Sequence, residues 1–186
     1  MSTRDDLVRA CADLIAEQGA SALSLRKVAE RVGIKAPSIY VHFASKEALL
    51  AQASQLAAGA LGACLTAGCT GSDARERLVS TALGYLRFAD EQPSLFALLF
   101  MELPSARRSL DEPPDPSSPY MLLLARVHEF LGAGHAQAEM LGFGIWALVH
   151  GAAVLRRTHL RDFAVPLDDG TRLNLERLLD GWRLAD

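Results

Sequence analysis

β-Branched and aromatic residues are scarce in this sequence, and aromatic residues make up 6% of its 186 positions. Strands are enriched in these residue types, whereas alanine, leucine and arginine, which are plentiful here, favour helices. Half of the residues are hydrophobic and 22% are charged, which is typical of a globular chain and not of a disordered one. The composition therefore predicts an all-α fold, and helix start and stop signals predict nine helices and no strand.

Cysteine and histidine are also few, and their spacing argues against a bound metal. Cys11, Cys64 and Cys69 match neither a redox motif nor the spacing of metal ligands. The five histidines include no pair four residues apart, so we expect no metal site and no cofactor. An odd cysteine count and the lack of a signal peptide predict a reducing, cytoplasmic setting. For Cys64 and Cys69, oxidant sensing is an alternative to buried, inert thiols.

The sequence lacks the motifs of the common enzyme classes. It contains no nucleophile elbow and no nucleotide-binding loop. The run Gly142–Ala147 has the glycine spacing of a dinucleotide-binding loop, but such a loop follows a strand, and this run lies inside a predicted helix. The longest apolar stretch, Met140–Leu155, is shorter than the roughly 20 residues of a membrane span. We therefore expect neither an enzyme nor a membrane protein.

Positive charge is not in excess, since the net charge is −3. This balance excludes a basic protein that coats nucleic acid along its whole length. Residues 1–47 carry a net charge of +1 and residues 48–186 a net charge of −4. The asymmetry is mild, and it permits DNA binding by the N-terminal part of the chain.

Capping residues and glycines mark the limits of the predicted helices. Thr3 and Asp6 have the spacing of a capping box, and Gly19 ends the first helix. Ser24 is the expected cap of a second helix, which Gly33 ends. Further helices are predicted at about 37–42, 45 to the mid-60s, 73–91, from Pro93, 119–132, 136–159 and 171–184. Four prolines predict a loop at 110–119.

The turn between the second and third helices is the basis of the functional hypothesis. Two short helices that cross steeply need a small residue at their contact, a flexible turn and an apolar anchor. Ala29, Gly33 and Ile39 supply these three features at the spacing of a helix-turn-helix. The outward residues of the third helix are small or carry donors suited to a major groove: Lys35, Ala36, Pro37, Ser38, Tyr40 and His42. For this segment alone, a plain helical hairpin is the alternative.

The eleven residues from Ile39 to Leu49 resemble a family signature. An Ile-Tyr-Val-His-Phe segment followed by Ala-Ser-Lys-Glu-Ala-Leu is similar to the pattern of TetR-type regulators, and the resemblance covers residues 4–50. It implies a three-helix DNA-binding domain at 1–47 and a six-helix ligand-binding and dimerisation domain at 48–186. It also implies a transcriptional regulator that binds a double-stranded DNA operator.

The resemblance assigns roles to individual side chains. Four of them are expected to donate hydrogen bonds to phosphates: Ser24, Tyr40, His42 and Lys46. Lys46 also lies in the first turn of a helix, where backbone amides favour an anion. Lys35, Ala36 and Pro37 are at positions that meet base edges in such regulators, where lysine suits guanine and the small apolar residues suit a thymine methyl. Pro37 departs from the commoner serine or glycine.

The segment Trp146–Gly151 resembles the Trp-His-Gly pattern of one subset of TetR-type C-terminal domains. Small residues along this helix would let another helix approach, and the last helix has an apolar face. We expect two such helices from each of two subunits to form a four-helix homodimer interface. Its expected residues are Gly144, Ala147, Gly151, Val154, Leu175, Leu178, Leu179 and Trp182. Burial of both helices within one subunit is the alternative.

A set rich in phenylalanine and methionine is the candidate effector pocket. Its residues are Leu86, Phe96, Phe100, Met121, Leu124, Trp146 and His150. The same spacing is equally consistent with a plain core. If a cavity exists there, it has few polar groups, so the effector is expected to be hydrophobic and largely uncharged. The sequence thus predicts a ligand-responsive repressor, with an all-helical enzyme and a helical interaction module without DNA binding as the other classes.

Overall fold

The computed structural model describes residues 2–102, 118–162, 164 and 166–183, and these residues form helices and no strand. The helices are α1 (Thr3–Gln18), α2 (Leu25–Val32), a 3₁₀ helix (Ala36–Val41), α3 (Lys46–Gly68), α4 (Ala74–Glu91), α5 (Pro93–Ala97), α6 (Pro119–Leu131), α7 (Ala138–Arg157) and α8 (Leu167–Arg183). A single turn of 3₁₀ helix (Ala20–Ala22) follows α1, and a short π-helix (Leu98–Glu102) follows α5. The all-α class and the nine predicted helices are confirmed. Residues 110–117 of the predicted loop lie outside the described residues.

The cap of α1 differs from the expected one by a single position. The Ser2 hydroxyl accepts from the Asp5 amide, and the Asp5 carboxylate accepts from the Ser2 amide, so the capping box is Ser2–Asp5 and not Thr3–Asp6. Both pairs have the same spacing, and the carboxylates at positions 5 and 6 made the register ambiguous. These hydrogen bonds lower the pKa of Asp5 below its usual value.

The described residues form two compact units. The first contains residues 2–60 and 92–102, and in it α1 packs against α2 and α5. Its fully buried side chains include Leu7, Ile15 and Val28. The first unit therefore buries the inner faces of α1 and α2. The short 3₁₀ helix is held in this unit by one buried apolar residue, Ile39.

The second unit contains residues 61–91 and 118–183. In it α4 packs against α6, α7 and α8, and α7 also packs against α6 and α8. The interior is filled by residues such as Leu78, Phe88, Leu141 and Ile145. Since α3 contributes to both units, the domain boundary at 47/48 stays a prediction.

Two helices, α3 and α7, are long and apolar enough to cross a membrane by length and composition alone. The stretch at 140–155, expected to be too short for a span, is thus part of a 20-residue helix. Leu141, Ile145 and Val149 of α7 recur every four residues and are buried within the second unit. A core helix with one buried face passes the same length test. We therefore interpret α7 as a core helix.

Candidate DNA-binding surface

The turn after α2 has the geometry that its sequence predicts. Gly33 adopts the left-handed conformation, with φ of 78°, which a side chain would disfavour. The Ile34 amide donates to the Ala29 carbonyl at 3.0 Å, and the Gly33 amide donates to the Glu30 carbonyl at 3.2 Å. These bonds satisfy carbonyls at the end of α2 and reverse the chain toward the next helix. Ala29 and Ile39 are both buried, so the small contact residue and the apolar anchor lie inside the first unit.

The third helical element, predicted as a short helix at about 37–42, is a 3₁₀ helix at Ala36–Val41. The Ser38 amide donates to the Lys35 carbonyl at 2.9 Å, and the His42 amide donates to the Ile39 carbonyl at 2.8 Å. Both bonds span three residues, which is the 3₁₀ pattern, and side chains three apart then lie in rows. Pro37 lies in the first turn, where its missing amide hydrogen removes no intrahelical bond.

The three rows differ in exposure. The inner row contains Ile39, which is fully buried, between two partly buried residues, Ala36 and His42. The outer rows are Pro37 with Tyr40 and Ser38 with Val41. Tyr40 is 62% exposed and Val41 is 82% exposed.

Val41 is a surface residue that the sequence interpretation did not select. An exposed apolar side chain at this place suits a thymine methyl group or a sugar face. Position 41, two residues after the buried Ile39, lies on the outward side with a period of either three or 3.6, and this spacing is the signal that would have identified it. With a period of three, the expected base contact Ala36 and the expected phosphate donor His42 lie in the row of the buried Ile39, while Pro37 and Tyr40 are exposed and Ser38 is partly buried.

The basic residues near this surface differ in how they are paired. Arg31 makes two hydrogen bonds to the Glu17 carboxylate at 2.8 and 2.7 Å, and this contact lowers the pKa of Glu17. Arg26 pairs with its helix neighbour Glu30 at 2.7 Å. Lys35 is exposed, and within the described part of the chain its ammonium has neither a salt bridge nor a hydrogen bond. Lys35 is therefore available to an external anion.

Of the four predicted phosphate donors, Ser24 and Lys46 make hydrogen bonds within the protein. The Ser24 hydroxyl accepts from the Lys27 amide at 3.2 Å and caps α2, which leaves its own hydrogen free to donate. The Lys46 ammonium donates to the Leu23 carbonyl at 2.8 Å and is partly buried. The exposed Tyr40 hydroxyl and Lys35 ammonium thus form the outward polar groups of the surface.

In the second unit, two predicted pocket residues, Trp146 and His150, both contact Tyr85, which the sequence did not predict. The Tyr85 hydroxyl lies 2.8 Å from His150 Nδ1, and the Trp146 side chain is hydrogen-bonded to Tyr85. Burial raises the pKa of Tyr85 and lowers the pKa of His150, so both groups are neutral at pH 7. The Trp146 ring also packs on Tyr120, with centroids 5.6 Å apart.

The remaining pocket candidates are divided between the two units. Phe96 and Phe100 belong to the first unit, where their ring centroids are 5.2 Å apart. Leu86 and Leu124 are buried in the second unit, and Met121 is partly buried there. Leu86 also lines a cleft of about 380 Å³, but the other lining residues of that cleft are mostly polar or charged. That cleft does not match the apolar cavity that the sequence predicted.

The predicted dimer residues also fall into two groups. Leu175 and Leu179 are fully buried in the second unit, so they contribute to its core and are removed from the proposed interface. The reason is that α8 buries one side of its apolar stripe against α4 and α7. The others keep some exposure: Gly144, Ala147, Gly151, Val154, Leu178 and Trp182.

Further exposed apolar side chains, outside the predicted set of dimer residues, lie on the same two helices. Met140 is 64% exposed and Phe143 is 65% exposed, and both are on α7. Leu155 of α7 and Leu173 of α8 are exposed as well. The signal was present in the sequence, since positions 140, 143, 147 and 151 follow one face of a helix.

Two of the three thiols, those of Cys11 and Cys64, lie in surroundings that disfavour redox chemistry. Burial raises the pKa of the Cys11 thiol to about 11 and also raises the pKa of Cys64. Both thiols are therefore protonated at pH 7, which disfavours reaction with oxidants. Cys69 lies beside Arg126, whose guanidinium is 3.7 Å from its sulfur. Among the described residues, no group of three potential metal ligands comes together.

Comparisons with known proteins agree with this geometry. Residues 7–53 match the family of bacterial regulatory proteins of the tetR type, and residues 78–180 match the tetracyclin repressor-like C-terminal domain. The chain is 48% identical over 44 residues to the class A tetracycline repressor protein from transposon 1721 of Escherichia coli. That match covers 24% of this chain and 20% of the repressor, so it spans about a fifth of the relative's length.

Solved structures share the fold over nearly the whole chain. A protein of unknown function from Rhodococcus sp. RHA1 has a TM-score of 0.75 at 24% identity, covering 97% of this chain and 95% of that one. The TetR family regulator PfmR from Thermus thermophilus has a TM-score of 0.69 at 19% identity, covering 96% of each chain. A TetR family protein from Vibrio parahaemolyticus has a TM-score of 0.69 at 25% identity, covering 96% and 97%. With the second family match alone covering more than half of the sequence, the chain belongs to the TetR family of transcriptional regulators.

Proposed function

We propose that the chain is a cytoplasmic, ligand-responsive repressor that binds a palindromic DNA operator as a homodimer and has no enzymatic activity. The observation that carries this proposal is the outward surface of the 3₁₀ helix. There an exposed phenol, an exposed apolar side chain and an exposed ammonium lie close in sequence at Tyr40, Val41 and Lys35. These groups supply a hydrogen-bond donor, a methyl-binding surface and a cation, which are the contacts that duplex DNA accepts.

The proposed contacts divide into phosphate and base contacts. Tyr40 and Ser24 donate to phosphate oxygens, and His42 contributes from the inner row. Lys35 reaches a guanine edge or a phosphate, while Pro37, Val41 and the adjoining Ala36 and Ser38 lie against bases and sugars. Phosphate contacts fix the register of the protein, and the base contacts select the sequence.

A homodimer is proposed because the second unit leaves apolar surface uncovered. Met140 and Phe143 are each about two-thirds exposed, and Gly144, Ala147 and Gly151 on the same helix have little side-chain bulk. Contiguous apolar surface on a soluble protein marks an interaction site, and small residues permit close helix approach. A symmetric pair would present two 3₁₀ helices to two half-sites, which doubles the base pairs read.

An effector site is proposed in the interior of the second unit, which we assign to the Trp-His-Gly subset of C-terminal domains. The contacts of Trp146 and His150 with the Tyr85 hydroxyl support this assignment. Within the described residues, Thr81 Oγ1 and His128 Nδ1 are buried without a hydrogen-bond partner. Buried polar atoms are normally paired, so these two are candidates to bind a polar group of a mainly apolar effector.

Regulation follows from differential binding. An effector that prefers one arrangement of the dimer lowers operator affinity by the difference in its free energy of binding to the two arrangements. The pocket residues need no charge to regulate DNA binding in this way. The coupling depends on the difference between the effector's affinities for the two arrangements and not on its total affinity.

Selection of DNA by the purified protein tests this function. We expect random-sequence duplexes that are retained by the protein to converge on a palindrome, and Tyr40→Phe to bind that palindrome more weakly. Recovery of sequences without a common motif would reject operator binding. If the protein binds duplexes no more tightly than unrelated acidic proteins do, the result would instead support the alternative hypothesis of a helical interaction module that does not bind DNA.

A further inference from the structure

One apolar side chain of the 3₁₀ helix is left almost uncovered by the folded chain. Val41 is 82% exposed, which is more than any other large apolar side chain among the described residues. It lies two residues after the fully buried Ile39, so it points away from the interior of the first unit. Its neighbour Tyr40, on the other outer row, is also mostly exposed. The outward side of this helix therefore combines one phenol with one isopropyl group.

The segment from Lys35 to Phe43 has few side chains that recognise bases by hydrogen bonds. In the major groove, asparagine and glutamine suit adenine, aspartate and glutamate suit cytosine, and arginine and lysine suit guanine. Of these six residue types, the segment contains one, the lysine at its start. Ser38 is partly buried, and His42 is partly buried in the row of Ile39. Hydrogen-bonded readout by this segment therefore favours guanine through Lys35.

Thymine is the base that an apolar side chain can distinguish in the major groove, because it carries a methyl group on C5. Pro37 and Val41 are both exposed and apolar, and neither side chain can donate a hydrogen bond. The major groove is about 12 Å wide and admits a whole helix, so insertion of the 3₁₀ helix covers both of its outer rows. Val41 then loses its contact with water and gains an apolar contact where a methyl group is present.

We infer that Val41 is a specificity-determining residue that recognises one thymine in each operator half-site by the methyl group on C5. The inference rests on the proposed DNA binding and names the base chemistry that this surface selects. Because the contact is apolar, it adds to the sequence preference and leaves the salt dependence of binding to the groups that meet phosphates.

Exchange of thymine for deoxyuridine tests the contact directly, since it removes the methyl group and keeps the hydrogen bonds of the base pair. Each thymine of the palindrome that the protein selects is exchanged in turn, in both half-sites together. We expect one of these exchanges to lower the affinity of the wild-type protein by about fourfold for each half-site, the effect of one buried methyl group. The two half-sites together should give about 15-fold, because well-separated positions are nearly additive. Fluorescence anisotropy measures these affinities.

The substitution Val41→Ala separates a direct contact from an effect of DNA shape. It removes the two terminal methyl groups of an exposed side chain, so the thermal midpoint should stay the same. We expect the exchange that costs the wild-type protein about 15-fold to cost this variant less than about twofold. Exchanges at the other thymines should keep their wild-type effects. Tyr40→Phe is the matched control, and it should weaken binding to both DNAs by the same factor.

Three results would overturn the inference. The first is a selected palindrome with no thymine among its invariant positions. The second is an affinity that no deoxyuridine exchange lowers. The third is an exchange that costs the wild-type protein and Val41→Ala the same factor, because another residue or the shape of the DNA would then recognise that thymine. If the wild-type protein selects no duplex, the proposed function fails and the inference with it, whereas a selected palindrome that is indifferent to the exchange removes the inference alone.

Discussion

The two compact units differ in the groups that they expose. In the first unit, the outward side of a short helix presents a phenol and a lysine, and its apolar anchor Ile39 is fully buried. In the second unit, Met140 and Phe143 are exposed, while polar atoms such as Thr81 Oγ1 lie in the interior. A surface that binds DNA needs exposed polar groups. An interface with a second subunit needs exposed apolar groups, and an effector pocket needs a few polar groups in the interior.

The two sides of α8 provide the largest expected contrast. Leu179→Ala removes a fully buried side chain and is expected to lower the free energy of unfolding by about 3–5 kcal/mol. Leu178→Ala, at a partly exposed position, should cost much less at the same protein concentration. Urea denaturation measures both, and equal losses would show that the core and the interface on this helix are not distinct.

A charge on the exposed face of α7 tests whether that face is covered in solution. Phe143→Asp is expected to weaken the dimer by at least about a hundredfold, or about 3 kcal/mol, because a carboxylate would be buried without a partner. Ala125→Asp, at an exposed position of α6, is the matched control. Analytical ultracentrifugation measures the dissociation constant. A Phe143→Asp protein that sediments like the wild type would remove α7 from the interface.

A smaller effect is expected from a substitution in the first unit, which tests whether its exposed polar groups contact DNA. Tyr40→Phe removes one hydroxyl and is expected to lower operator affinity by about tenfold, or about 1.4 kcal/mol, because the donor to phosphate is lost. The thermal midpoint should stay the same, since this side chain is mostly exposed. Fluorescence anisotropy measures affinity. Unchanged binding would mean that the hydroxyl faces solvent in the complex.

The weakest expected effect is a pH dependence of the second unit. Burial lowers the pKa of His150, so the unfolded chain binds a proton at a higher pH than the folded chain does. Stability is therefore expected to fall as the pH decreases from about 7 through the unfolded value near 6.5. In His150→Gln this part of the decrease should disappear, as chemical denaturation at about pH 7.5 and about pH 5.5 would show. A decrease of the same size in both proteins would assign it to other groups.

The sequence predicted the first unit well because its constraints are local. Gly33 must tolerate a positive φ, and Ala29 and Ile39 must be small and apolar, so three positions define the turn. The 3₁₀ geometry was not predicted, because the difference between three and 3.6 residues per turn cannot be resolved over six residues.

The second unit was predicted less completely, because its contacts join residues far apart in sequence. Tyr85 and His150 are 65 positions apart, and nothing near either of them indicates the hydrogen bond. Likewise, the apolar stripe of α8 shows that one face is covered but not what covers it. Only packing shows that Leu179 faces its own subunit while Leu178 keeps some exposure.

The rows of the 3₁₀ helix have a consequence for how binding preference can change. Pro37 and Tyr40 share one row, and Ser38 and Val41 share the other. Both residues of a row can therefore be substituted together without changing Ile39, the buried residue that anchors the helix. Stability and DNA preference are thus assigned to different residues of the same six-residue segment. Under the proposed function, mutations that change the DNA preference need not weaken the fold, so this segment is a place where the two properties could be altered separately.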